Sequence, residues 1–168
     1  MADRISYSVS VTPIETIAGE ETSITNDIIA SEIGKSFSGN GTAAVTNYSG
    51  TAANQGYKDR TVNYKEAEDD SDAIDLVDGE STATFIYIKN TGYAFNSATV
   101  LGAALNKSLK IMAPGGTTLI SILDPGEAIV LKDDNAGLDG KFHVRTVDLD
   151  GSNNTDAGHL AVEYLVVD

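Results

Sequence analysis

An all-β fold, built as an antiparallel sandwich or barrel of about eight strands, is what this 168-residue sequence predicts. Three observations predict it. Wherever the hydrophobic pattern is regular its period is two. Turn residues punctuate the second half at intervals of roughly eight to twelve residues. Gly, Ser, Thr and Asn fill 57 positions (16, 14, 16 and 11), the composition of short strands joined by many turns. The succession of strand, Gly-rich turn and long amphipathic helix that marks a doubly wound nucleotide-binding fold is missing. So is any internal repeat of about 20 to 50 residues.

The elements follow in chain order. Ile5, Tyr7, Val9 and Val11 alternate with Ser6, Ser8, Ser10 and Thr12, which makes a half-buried strand that Pro13 ends, because proline has no N–H for a ladder. Between Glu20 and Ile33 the pattern is balanced. Ile24, Ile28, Ile29 and Ile33 fit one face of a short helix over 22–33, with Thr22 or Ser23 as N-cap and Gly34 as stop, while Ile and Thr also suit a strand. Ser36 to Gly56 reads as a long polar loop with one short strand near Ala43 to Tyr48. Alternation returns from Tyr57 to Lys65. The stretch 66–80 then holds eight acids and no base, and reads as a solvated, extended segment.

Thr82 to Lys89 is apolar on both faces and belongs at the centre of a sheet, with Asn90-Thr91-Gly92 closing it as a turn. Ala98 to Leu105 and Lys107 to Met112 are further strands broken at Asn106. Ala113-Pro114-Gly115-Gly116 is a turn before the strand Thr117 to Leu123. Asp124-Pro125-Gly126-Glu127 suits a type II turn, because Gly at its third position tolerates positive φ. Ala128 to Lys132, Lys141 to Leu149 and Leu160 to Val167 complete the series, and the whole chain, 1–168, reads as a single β-sandwich domain with residues 1–20 as an N-terminal arm or edge strand.

Composition limits the chemistry. With no cysteine there is no disulfide framework, thiolate cluster or cysteine nucleophile. A net charge of -14 opposes nucleic acid and anionic lipid, and the 11 Lys and Arg form no basic stripe, so neither partner is expected. No run approaches the roughly 18 apolar residues of a membrane helix, and Met1 to Ser10 lacks a signal-peptide core.

His143 and His159 are the whole imidazole supply, and no G-x-S-x-G elbow accompanies them, so no catalytic residue is assigned and a non-enzyme is expected. The acids of 66–80 lack the asymmetric environments that paired glycosidase carboxylates need. Asp148, Asp150 and Asp156 are the Ca2+ candidates, but with Gly151 fourth rather than sixth the loop departs from EF-hand spacing, and a turn explains the same residues. No cofactor is expected. Tyr93 and Phe95, after Asn90-Thr91-Gly92, are candidate loop-tip aromatics for a sugar platform, with packing as the plainer role.

Phe85-Ile-Tyr-Ile-Lys-Asn-Thr-Gly92, then Leu123-Asp-Pro-Gly-Glu-Ala-Ile-Val-Leu131, then Leu160-Ala-Val-Glu-Tyr-Leu-Val-Val167 form a pattern of strands and turns. It resembles small β-sandwich virion proteins of tailed bacteriophages, including capsid decoration or cement proteins with jelly-roll-like folds. The resemblance covers residues 82–168. It implies a non-enzymatic protein of the capsid surface, assembled in the bacterial cytoplasm, whose partners are the major capsid protein and copies of itself in a homotrimer. The N-terminal strand, with Ile5, Tyr7, Val9 and Val11, is then the candidate partner contact, adding main-chain hydrogen bonds to a neighbour's sheet. The alternative is a carbohydrate-binding or receptor-binding module of a phage tail or fibre.

Overall fold

The computed structural model describes residues 3–11, 14–18, 25–29, 37–45, 57–58, 61–62, 64–67, 74–75, 85–113, 116–132, 142–154 and 158–167. Every regular element among them is a strand. The chain forms two compact units, residues 3–44 and 45–168.

In the first unit β1 (Asp3–Val11) pairs with β4 (Phe37–Val45), and β2 (Ile14–Ala18) pairs antiparallel with β3 (Thr25–Ile29). The strand β3 corrects the helix expected over 22–33. Thr25, Ile28 and Ile29 are β-branched and stiff at χ1, which favours a pleated strand, and β2 supplies a partner in register, Ile14 to Ile29 and Ile17 to Asn26. The nine-residue β4 corrects the loop expected from Ser36. Its glycines favour a loop, since glycine weakens a strand unless something must approach closely. At Gly41 something does: a Cβ there would lie 2.6 Å from Cζ of Tyr7 on the paired strand, so the tyrosine ring occupies the room a side chain would take.

The second unit begins with a minimal hairpin of β5 (Tyr57–Lys58) and β6 (Thr61–Val62), so the strand expected over 57–65 is split before β7 (Tyr64–Ala67). Then follow β8 (Ile74–Asp75), β9 (Phe85–Ser97), β10 (Val100–Ala104), β11 (Ser108–Met112), β12 (Leu119–Leu123), β13 (Ala128–Lys132), β14 (His143–Val147) and β15 (Leu160–Val167). One sheet runs β7-β15-β9, with β13 and β10 on successive halves of the free edge of β9; the other runs β8-β14-β11-β12. All these pairings are antiparallel. With β10 set aside as an addition to β9, the strands from β7 onward fall into two four-stranded sheets, β7-β15-β9-β13 and β8-β14-β11-β12. That is jelly-roll wiring, two Greek keys folded into one sandwich. The acidic stretch 66–80 is thus not wholly loop: Glu66 and Ala67 end β7, and Ile74 and Asp75 form the β8 edge.

The two sheets meet over one core. Ala67, Ile86, Ile88, Leu160, Val162 and Tyr164 come from the first sheet, and Leu109, Ile111, Leu123 and Val144 from the second, with Phe142 at the margin. Each large side chain among them contributes roughly 1.5–3 kcal/mol by leaving water. Thr146 stitches the layers, its hydroxyl donating to the carbonyl of Ala67 and accepting from the N–H of Leu160 at 3.1 Å. Strand β9 is central as expected: Phe85, Ile86, Ile88 and Asn90 of its first half are buried, while Tyr87 and Lys89 are half-buried.

Asn90-Thr91-Gly92 does not close β9. The strand continues to Ser97, and the three residues form an irregularity where the register against β15 jumps from Val162–Asn90 to Leu160–Ala94. Gly92 takes φ +74°, so the positive φ that suggested a turn is present, used as a kink inside the strand. At this kink β9 changes edge partner from β13 to β10.

Candidate interaction surface

The kink is a rigid scaffold point. Asn90 is fully buried, and its side-chain amide donates to the carbonyls of Lys107 and Leu123, each at 2.9 Å, while its Oδ1 accepts the N–H of Gly92 at 2.9 Å. Its backbone N–H donates to the carbonyl of Glu127 and its carbonyl accepts from the N–H of Gly126. Five groups are therefore satisfied around one residue, joining β9 to the start of β11, the end of β12 and the 124–127 turn. That turn forms as expected: the Glu127 N–H donates to the Asp124 carbonyl at 3.0 Å and Gly126 has φ +88°. Asp124 accepts from the Ser108 hydroxyl at 2.6 Å, and the Glu127 carboxylate accepts from the Asp124 N–H at 2.8 Å.

The polar candidates are held by neighbours. Asp148 meets Lys107 Nζ at 2.5 Å. Asp150 accepts the N–H of Ser152 at 2.9 Å, and hydrogen bonds from Ser152 hold its carboxyl below the usual carboxylate range. The Gly151 N–H donates to the Asp148 carbonyl, and Gly151 has φ +81°, so 148–151 is a tight turn. Asp156 lies outside the described residues, which hold no group of three or more His, Asp or Glu placed to bind a metal. His159 sits at the entrance of β15 with Nδ1 2.6 Å from the Glu66 carboxylate, and His143 opens β14 beside Gly116. Tyr93 and Phe95, expected at a loop tip, lie inside β9, so the kink that continues the strand removes the tip; Tyr93 is exposed and Phe95 half-buried.

No known protein family, characterised protein or solved structure matches this chain. What distinguishes its surface is apolar exposure on strands. On β1, Ile5 and Tyr7 are half-buried while Val9 and Val11 are 50% and 57% exposed, so the expected apolar face is covered at its start and open at its end. On β12, Leu119, Ile120 and Ile122 are exposed, with Leu149 exposed in the 148–151 turn, whose Gly151 lies against Ile122. The register against β11 passes from Ser121–Ile111 to Leu119–Met112, so Ile120 is the extra residue of a bulge, and Leu119 and Ile120 are both exposed. The sequence reading placed the β12 strand but assigned it no face. The available signal was its lack of any charge from Thr117 to Leu123.

Proposed function

We propose that the protein is a non-enzymatic virion component that binds the outside of a bacteriophage capsid and holds neighbouring major capsid subunits together. The observation that carries this reading is the open apolar end of β1, where Val9 and Val11 stand in water on an amphipathic strand. Burying two such valines against a partner supplies roughly 1.5–3 kcal/mol each at most, which is weak alone. Repetition over a symmetric lattice turns weak contacts into retention. The jelly-roll unit serves as a rigid body, an architecture shared by viral capsid and lectin domains, so the fold supports the reading without deciding it. A charge of -14 steers the protein toward basic shell surfaces and away from packaged nucleic acid.

The test mixes purified protein with capsids assembled from the major capsid protein encoded in the same phage genome, and pellets them. The wild type should co-sediment, and the double variant Val9→Asp with Val11→Asp should stay in the supernatant while keeping its far-ultraviolet circular dichroism. Equal retention of both proteins rejects β1 as the contact. Absence of wild-type binding, with binding to a glycan array, moves the reading to a carbohydrate-binding module.

A further inference from the structure

Open edges differ in how they are protected. Natural sheets blunt them with charge, proline, bulges or brevity. Edge β8 is two residues long and carries Asp75; β7 carries Lys65 and Glu66; β13 ends in Lys132; β10 is interrupted by two register shifts against β9. Edge β12, which ends its sheet among the described residues, has one bulge, no charge, and three exposed Leu and Ile side chains.

Its sequence, Leu119-Ile120-Ser121-Ile122-Leu123, reads the same in both directions. An antiparallel partner of identical sequence placed on a two-fold axis at Ser121 sets Ile120 opposite Ile122 and Leu119 opposite Leu123. A two-fold interface must be self-complementary in just this sense, each residue meeting the partner it in turn meets.

Charge points the same way. Residues 81–123 contain no Asp or Glu, and their only charges are Lys89, Lys107 and Lys110, in a chain of 25 acids. Strand β12 thus adds no carboxylate of its own to the repulsion between two copies, which at this edge comes from Asp124 and from the 148–151 turn beside Ile122. Lys110 pairs with Ile122 across β11 and β12, so in a joined sheet the two Lys110 residues stand three strand spacings apart, about 14 Å. That exceeds the Debye length of about 8 Å at physiological salt, which screens their repulsion.

We propose that β12 is a self-association edge, at which a second copy of this chain pairs antiparallel through Leu119–Leu123 about a two-fold axis at Ser121. The two β8-β14-β11-β12 sheets then run on as one continuous sheet. A five-residue contact is small, so the dimer is weak and concentration-dependent. This contact is separate from the capsid reading, which does not require it.

Sedimentation equilibrium from about 5 µM to about 1 mM of the full chain tests it. The wild type should pass from monomer to dimer, Ile122→Lys should weaken that association at least tenfold, and Val100→Lys, on the β10 edge, should leave it unchanged. A wild type monomeric throughout overturns the proposal, as does a trimer or dimer indifferent to Ile122→Lys, or equal weakening by Val100→Lys. A second measurement does not depend on a buried lysine being tolerated. Because the chain has no cysteine, Ser121→Cys provides one thiol per copy. Opposed residues of an antiparallel pair lie about 4.5–5.5 Å apart at Cα, within disulfide reach. Mild oxidation should give a covalent dimer from Ser121→Cys and none from Val100→Cys; failure of Ser121→Cys to cross-link overturns the two-fold register.

Discussion

Asn90 is where the jelly roll is most exposed to a single change. Truncation by Asn90→Ala removes both amide donors and the Oδ1 acceptor, and leaves the carbonyls of Leu123 and Lys107 and the N–H of Gly92 without their partners. The Leu123 bond is fully buried, and an unpaired buried group costs about 1–3 kcal/mol; the two part-buried groups regain some water, at about 0.5–1 kcal/mol each. The expected loss is about 3 kcal/mol, or roughly 10 °C in Tm for a domain of this size. Asn90→Asp sharpens the test. Its carboxylate keeps the Gly92 bond but faces two carbonyl oxygens with no proton to give, at a fully buried position, so at neutral pH it should destabilise more than alanine. Burial and those oxygens raise its folded pKa above the unfolded value near 4, so the folded state binds the proton more tightly. The variant's stability relative to wild type therefore falls as pH rises from about 4 through the folded pKa, and recovers on acidification. Urea unfolding followed by circular dichroism at pH 5 and pH 8 measures both effects. A cost below about 1 kcal/mol for Asn90→Ala, or an aspartate variant no worse than alanine at pH 8, refutes the role assigned to this residue.

Three other outcomes are expected. Gly92→Ala and Gly126→Ala both force alanine into positive φ at about 1 kcal/mol, but only at Gly92 does the new Cβ meet a neighbour, Pro125 Cβ at 3.2 Å, so Gly92→Ala should have the lower Tm by thermal denaturation. Lys107→Met leaves Asp148 without its 2.5 Å partner; the Lys107 side chain is only 12% exposed, so urea titration should show a loss of about 1–2 kcal/mol that persists in 0.5 M salt. Burial and then the Glu163 carboxylate hold the Tyr87 phenol above the ordinary tyrosine range. Its folded pKa is raised, so it stabilises the fold below the unfolded value near 10 and that contribution is lost as pH rises further; ultraviolet titration should find a late-ionising tyrosine that Tyr87→Phe removes.

The second half of the fold was legible because its strands carry apolar residues at period two and its turns carry glycines with positive φ. Strand β15 spans the residues that its sequence pattern marks, Leu160 to Val167, the 124–127 turn closes through its backbone bond, and the Gly116 N–H donates to the Ala113 carbonyl. Misreadings fell where one residue type serves two ends. Asn-Thr-Gly ends a strand as easily as it kinks one, and only the distant carbonyls of Lys107 and Leu123 decide for the kink. Gly41 reads as loop until Tyr7 is placed over it. Of the candidate surface, the β1 face was visible as alternation, but which half is open was not, because burial along one strand depends on partners remote in sequence. The β12 edge was hidden for the same reason: a strand's own residues do not say whether it has one neighbour or two.

Charge and topology act together in this chain. The acid-free residues 81–123 supply seven of the fifteen buried apolar side chains among the described residues, including Ile86, Ile88, Leu109 and Ile111. Jelly-roll wiring sets these strands beside ones from the acid-bearing flanks, β15 with its Glu163 beside β9, and β14, which runs into Asp148, beside β11. Lysines of the acid-free stretch then meet carboxylates from the flanking sequence: Lys89 is 3.9 Å from Glu163, and Lys107 binds Asp148. Self-repulsion within a chain of net charge -14 is thereby relieved inside the sandwich, and acids are kept off the strand that ends the second sheet. A uniformly acidic jelly roll would be protected against edge pairing by its charge. In this one β12 itself carries no charge where its apolar side chains are open, so the same distribution that relieves the fold leaves that strand available for contact.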